Sequence, residues 1–177
     1  MTTKQKAMLT EFLGLLPDEQ KSVFGKIARH LYELGYAIQR QKVKDFVISF
    51  KHSENGKVIA KMGFRNKKGF FSLRFFACAS VPEKYINALC ADIISQNEQY
   101  SGVKNLNPVN MITNKCGYCE DICSGGGLGY YCKLPDGRTV TRCGAYPVVI
   151  PEFGEADISE MMEVIREQHD YFLSIAK

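Results

Sequence analysis

No apolar run in the 177-residue chain approaches the roughly 20 residues that cross a bilayer. The stretch Met1–Leu16 spaces its apolar side chains, and no small-residue cleavage site follows, so no secretory signal is expected. No Asn-x-Ser/Thr acceptor occurs. Seven cysteines without a secretory signal argue against a disulfide framework and for thiols or metal ligands. The cytoplasm is the expected compartment, with no membrane partner. Paired carboxylates, a nucleophile elbow and a phosphate loop are also missing. The glycines at 125–129 lack both the spacing and the preceding strand of the dinucleotide fingerprint. A binding module is therefore expected rather than an enzyme.

What is present has ordinary globular proportions: 45% apolar and 24% charged residues. A chain of this length suits one domain and can bury roughly 70% of its unfolded surface, so any metal site adds to a core rather than replacing one. The net charge of +4 is unevenly spread. Residues 1–77 carry 15 Lys/Arg against 6 Asp/Glu, and residues 78–177 carry 8 against 13. Such a split either marks an anionic partner or reflects a solvated basic sheet face balanced by acidic helices.

The apolar spacing of Met8, Leu9, Phe12, Leu13 and Leu16 predicts a helix over 3–16, broken by Pro17. A second helix follows over about 18–34, with acids in its first turn, Val23, Phe24, Ile27, Ala28 and Leu31 on one face, and Gly35 as its stop. The period then changes to two. Phe46, Ile48 and Phe50, then Val58, Ala60, Met62 and Phe64, then Phe71, Leu73 and Phe75 predict a three-stranded antiparallel meander with one buried and one basic face. Asn55-Gly56 signals a tight first hairpin, and residues 66–69 a second turn. Ser80-x-x-Glu83 reads as a capping box for a helix to about 99, and residues 100–115 as loop. A short strand within 144–150 and a helix opened by Asp157-x-x-Glu160 close the pattern.

The chemically distinctive segment is 116–143. Cys116-Gly117-Tyr118-Cys119 is a C-x₂-C knuckle that can present two thiolates to one ion. Cys123, Cys132 and Cys143 follow within the same 28 residues. Thiolates favour zinc, with an iron–sulfur cluster as the less favoured alternative. The first choice for a structural zinc is Cys116, Cys119, Cys132 and Cys143, with Cys123 as substitute ligand. The hairpin around Pro135-Asp136-Gly137 bears on this choice. A two-residue turn sets Cys132 opposite Thr141 and brings Cys143 to the same face. A bulged turn sets Cys132 opposite Val140 and turns Cys143 away, which makes Cys116, Cys119, Cys123 and Cys132 the better set. Glu120 and Asp121 lie between the cysteines, as outer-shell partners or a solvated loop. Cys78 and Cys90 read as core packing.

Other candidates are weaker. Lys51, Lys61, Arg65, Lys67, Lys68 and Arg74 are candidate anion contacts on the basic face, for phosphates of a nucleic acid or another anionic ligand. Residues 68–75 partly match an RNA-recognition segment, but Ser72 stands where a second aromatic is needed. His30, His52 and His169 lie in no recognisable catalytic order and read as surface or packing residues.

Leu16-Pro17-Asp18-Glu19 opening a helix that ends in Leu34-Gly35-Tyr36, then a meander carrying Lys61-Met62-Gly63-Phe64 and a further helix, resembles the small YdhG-like bacterial α+β domains over residues 1–99. The resemblance implies a compact bacterial cytosolic protein whose sheet and helices form a binding cavity, and it carries over no catalytic residue. The expectation is one α+β domain: helices and meander over 1–103, a Cys/Gly-rich insertion and last strand over 104–154, and a helix over 155–177 docking back. Its function would be that of a binding or regulatory module for a small molecule or protein, with a structural zinc. A thiol redox protein using Cys116 and Cys119, and a nucleic-acid or anion binder, are the alternatives.

Overall fold

A computed structural model describes residues 1–74, 85, 111–115, 128–133, 139–143, 147–150 and 153–175; for 111–115, 128–133, 139–143 and 175 it describes the backbone alone. Helix α1 (Thr3–Leu15) and helix α2 (Asp18–Glu33) form where the apolar spacing places them. Pro17 is the N-cap of α2, and Asp18 and Glu19 occupy its positive first turn. Strands β1 (Tyr36–Arg40), β2 (Phe46–His52), β3 (Val58–Arg65) and β4 (Lys68–Leu73) then pair antiparallel in sequence order. Strands β5 (Met111–Lys115), β6 (Leu128–Lys133) and β7 (Thr139–Cys143) make a separate three-stranded sheet. Strand β8 (Val148–Ile150) takes its place beside β4, giving the order β1-β2-β3-β4-β8. A 3₁₀ turn at Glu155–Asp157 leads into helix α3 (Ile158–Ile175). No helix among the described residues is long and apolar enough to cross a membrane.

The chain divides into two compact units, residues 1–73 with 150–177, and residues 74–149. The α+β reading holds, but the main sheet has five strands rather than three. β1 was missed because five residues after a helix stop carry little period-two signal. Residues 111–115, expected as loop, form β5. The expected helix over 80–99 and the residues Cys78 and Cys90 lie outside the described residues, apart from helical Tyr85.

The first unit is built around one sheet face. Register aligns Ile38 with Phe50, Ile48 with Met62, and Met62 with Phe71, so these buried side chains form one apolar layer. Phe12 of α1 meets Phe46 at 6.1 Å and Phe24 of α2 at 5.7 Å. Phe24 and Phe71 both pack on Phe153, just before α3. Gly69 allows the α1–α2 junction to sit close to β4. A Cβ there would lie 2.6 Å from Leu16 Cδ2, and the Gly69 N–H donates to Gln20 Oε1 at 3.2 Å.

Two turns differ from the expected chemistry. The Asn55-Gly56 hairpin is longer than a two-residue turn: the His52 N–H donates to the Lys57 carbonyl, and the Gly56 N–H to the His52 carbonyl. The register slips between Phe50 and Lys51, which leaves Ile59 as an extra residue on β3. Strict alternation would have put Ile59 on the basic face, yet it is fully buried.

The second hairpin is the tight one. Asn66 and Lys67 have φ of 51° and 62° between the paired Arg65 and Lys68, the geometry of a type I′ turn. Asn tolerates this region, whereas a lysine there is strained. Lys67→Gly should therefore raise the stability of the protein by roughly 0.5–1 kcal/mol, after the entropy that glycine costs. Urea unfolding checks this, and an unchanged or lowered midpoint would contradict the turn assignment.

Candidate functional site

The cysteine segment is described only through its strands. Cys116, Cys119 and Cys123 lie outside the described residues, as do the glycines at 125–127. Cys132 and Cys143 fall in β6 and β7, whose backbone register is defined: Lys133 faces Thr139, Cys132 faces Val140, and Gly129 faces Cys143. Val140 and Cys143 are three positions apart, an odd separation, so Cys132 and Cys143 occupy opposite faces of the ladder. This is the second of the two registers weighed from the sequence. On the other side of β6, Met111 faces Cys132.

Five of the six basic candidates lie in the first unit. Lys61 faces Ser49 across the sheet, and Lys51 faces Val58. Arg65 is engaged: its Nε donates to Asp45 Oδ2 at 2.6 Å, and its guanidinium lies 5.7 Å from the Phe70 ring centre. Lys67 and Lys68 belong to the hairpin tip beside Arg65. Seven steps along β3 lead from Val58 to Arg65, about 23 Å at strand rise. Arg74 opens the second unit. The face between them is not uniformly basic or exposed, because Val47, Ser49 and Ser72 on it are buried. Within the first unit Lys51 and Lys61 lie on β2 and β3, Lys67 and Lys68 at the hairpin tip, and Arg65 is paired with Asp45. An open groove of about 410 Å³ lies between α1 and β1, lined by Thr2, Lys4, Gln5, Met8, Ile38, Gln39 and Arg40. Arg40 already donates to the carbonyls of Asp45 and Val47 and covers the Phe46 ring at 3.9 Å.

The most concentrated chemistry in the first unit is a cluster that the sequence reading treated as packing. All three histidines of the chain gather at α3, and His52 and His169 also meet Tyr36. His30, near the end of α2, is buried, and its Nε2–H donates to the Met162 carbonyl at 3.2 Å. A carbonyl only accepts, so this bond fixes the tautomer. Tyr36 opens β1 and is 1% exposed; its hydroxyl lies 3.2 Å from His169 Nδ1. Burial, with the nearby Asp170 carboxylate adding to it, pushes the Tyr36 phenol above its ordinary range. The phenol therefore keeps its proton and donates it, leaving His169 Nδ1 as acceptor. His52, at the end of β2, sets its ring edge-on to Tyr36 at 5.0 Å and 5.8 Å from the His169 ring. His52 Nδ1 is buried and has no hydrogen-bond partner among the described residues.

Gly35 makes room for this arrangement. Its φ is +90°, and a Cβ built there would stand 3.4 Å from His52 Nε2. Gly35→Ala should cost about 1–2 kcal/mol from the backbone alone, read as a lowered urea midpoint. A neutral result would mean that the turn rearranges freely.

Burial lowers the pKa of His30, reinforced by Arg166 and opposed by the Met162 carbonyl and Glu33. Burial also lowers that of His169; Asp170 opposes, while His52, Arg166 and His30 reinforce. The unfolded imidazoles titrate near 6.5. As the pH falls through and below that value, the unfolded chain binds more protons than the folded one, so stability declines. Urea unfolding at pH 7.5 and pH 5.0 should show the loss, and His30→Gln combined with His169→Asn should reduce it. A pH-independent midpoint across that interval would contradict the burial of neutral imidazoles.

Among the described residues, no three His, Cys, Asp or Glu side chains are grouped as a metal site would need. The histidine cluster escaped the sequence reading because positions 30, 52 and 169 share no short-range spacing. Only the return of α3 to the first unit brings them together.

No family model, curated protein or solved structure matches the chain. The functional reading therefore rests on the residues and their geometry.

Proposed function

We propose that the chain is a cytoplasmic binding or regulatory module whose cysteine-bearing segment holds one structural zinc ion through four thiolates. The reading rests on five cysteines within 28 residues, and the β6–β7 register, which separates Cys132 from Cys143, bears on which four of them share the ion. Two ligands of one tetrahedral ion must reach the same side of the hairpin. The register thus favours Cys116, Cys119, Cys123 and Cys132 as ligands over the set containing Cys143. Four thiolates close the coordination sphere and leave no open position for a substrate, which fits a structural role and not a catalytic one. Thiolate ligation also releases protons, so the zinc should be held less tightly in acid.

Elemental analysis of the reduced, purified protein tests the proposal. About one zinc per chain is expected, with four thiols becoming reactive when a chelator removes it. Cys143→Ser should keep the zinc, while Cys119→Ser and Cys123→Ser should lose it. Zinc retained by Cys123→Ser and lost by Cys143→Ser would overturn the ligand set. A metal-free protein whose cysteines all react would overturn the zinc and turn attention to Cys116 and Cys119 as a redox pair.

A further inference from the structure

We propose that the histidine cluster of the first unit is an acid-operated latch on helix α3, closed while His30 and His169 are neutral and opened when they take up protons. The latch has two polar fastenings on the helix. The first is the His30 Nε2–H bond to the Met162 carbonyl, and the second is the Tyr36 hydroxyl bond to His169 Nδ1. They lie about two turns apart along α3 and tie it to two elements, α2 and β1. His52 from β2 completes the contact, with its ring against both Tyr36 and His169.

The second fastening depends directly on protonation. Neutral His169 accepts the Tyr36 proton at Nδ1. Protonated His169 carries a hydrogen on both nitrogens and accepts nothing. The Tyr36 hydroxyl must then turn its proton elsewhere in a buried setting, and a buried donor without an acceptor is costly. The first fastening keeps its donor on protonation, but it gains a charge in a desolvated place. The surrounding charges oppose that gain: Arg166 on α3 acts against charging either imidazole, and His52 and His30 act against charging His169. The countercharges are Glu33 on α2, near His30, and Asp170 on α3, near His169. Tyr36 on β1 is held protonated and brings no negative charge to the cluster. His52 on β2 sets its ring against both Tyr36 and His169, and its buried Nδ1 has no partner among the described residues.

The rest of the helix stays seated by apolar burial. Ile158, Met161, Val164, Ile165 and Phe172 are buried, and Lys26 pairs with Glu155 just before the helix. Acid therefore loosens α3 locally, ahead of any unfolding of β2 and β3. A local opening separable from global unfolding is the property that distinguishes a latch from a simple loss of stability.

Amide hydrogen exchange on the full chain at pH 7.5 and pH 5.0, with intrinsic rates divided out, tests this. Protection of amides 162–174 should fall at least tenfold, while amides of β2 and β3 change less than threefold. The double variant His30→Gln, His169→Asn keeps an amide donor toward Met162 and an oxygen acceptor toward Tyr36, and neither side chain takes up a proton in this range. It should abolish the helix-specific loss. Undiminished helix protection at pH 5.0, an equal loss in helix and strands, or a double variant that behaves as the wild type would each overturn the latch. If the double variant does not fold, imidazole titration of the wild type by NMR decides. Midpoints of His30 and His169 below that of an unstructured histidine support the latch, and midpoints at or above it overturn the proposal.

Discussion

The burial of one sheet face under helices drawn from distant parts of the chain is the constraint on which the first unit depends. Phe12, Phe24, Phe46, Phe71 and Phe153 come from α1, α2, β2, β4 and the approach to α3, and they pack as one aromatic layer. None of these elements has enough apolar surface of its own to be stable alone. Each helix becomes stable by covering the sheet, and the sheet by being covered. The polar features of this unit are arranged around that burial. Gly69 permits the close approach of the α1–α2 junction, Gly35 turns the chain from α2 into β1, and the three histidines sit where α3 seals the edge of the layer.

Much of this was legible from residue order. The two N-terminal helices were readable because their apolar residues recur at helical spacing and because Pro17 and Gly35 punctuate them. The meander was readable because Ile48, Met62 and Phe71 alternate with polar neighbours. Val58 was misplaced, since it pairs with Lys51 and not on the face of Ala60, because a bulge shifts the parity of a strand without leaving a mark in composition. β1 and β5 carry too short a pattern to be separated from loop. The Asn55-Gly56 signal was present, but the chain uses its glycine in a longer loop, whereas Asn66-Lys67, with no glycine, makes the tight turn.

The candidate sites divide in the same way. A cysteine cluster is visible in sequence because its members are close along the chain. The faces that Cys132 and Cys143 occupy are set by the register of a hairpin, which turns on a single residue of loop length. The histidine cluster is the opposite case. His30, His52 and His169 carry no local signal, and their meeting is created wholly by tertiary structure. The basic residues were equally visible in number, but the pairing of Arg65 with Asp45 and the gathering of Lys67 and Lys68 at a hairpin tip beside it come from the tertiary structure.

The division of the first unit between residues 1–73 and 150–177 also has a consequence for how the protein is made. Synthesis delivers α1, α2 and β1–β4 first, without the helix that covers Tyr36 and the edge beside it. At ribosomal speeds of about 5–20 residues per second, the intervening residues 74–149 take roughly 4–15 seconds to appear. Through that interval His30 and Tyr36 lack their partners on α3, and Phe24 and Phe71 lack the ring of Phe153. The order of the chain thus imposes a waiting period on its own N-terminal half, during which a chaperone or the intervening segment itself has first access to the surface that α3 later closes.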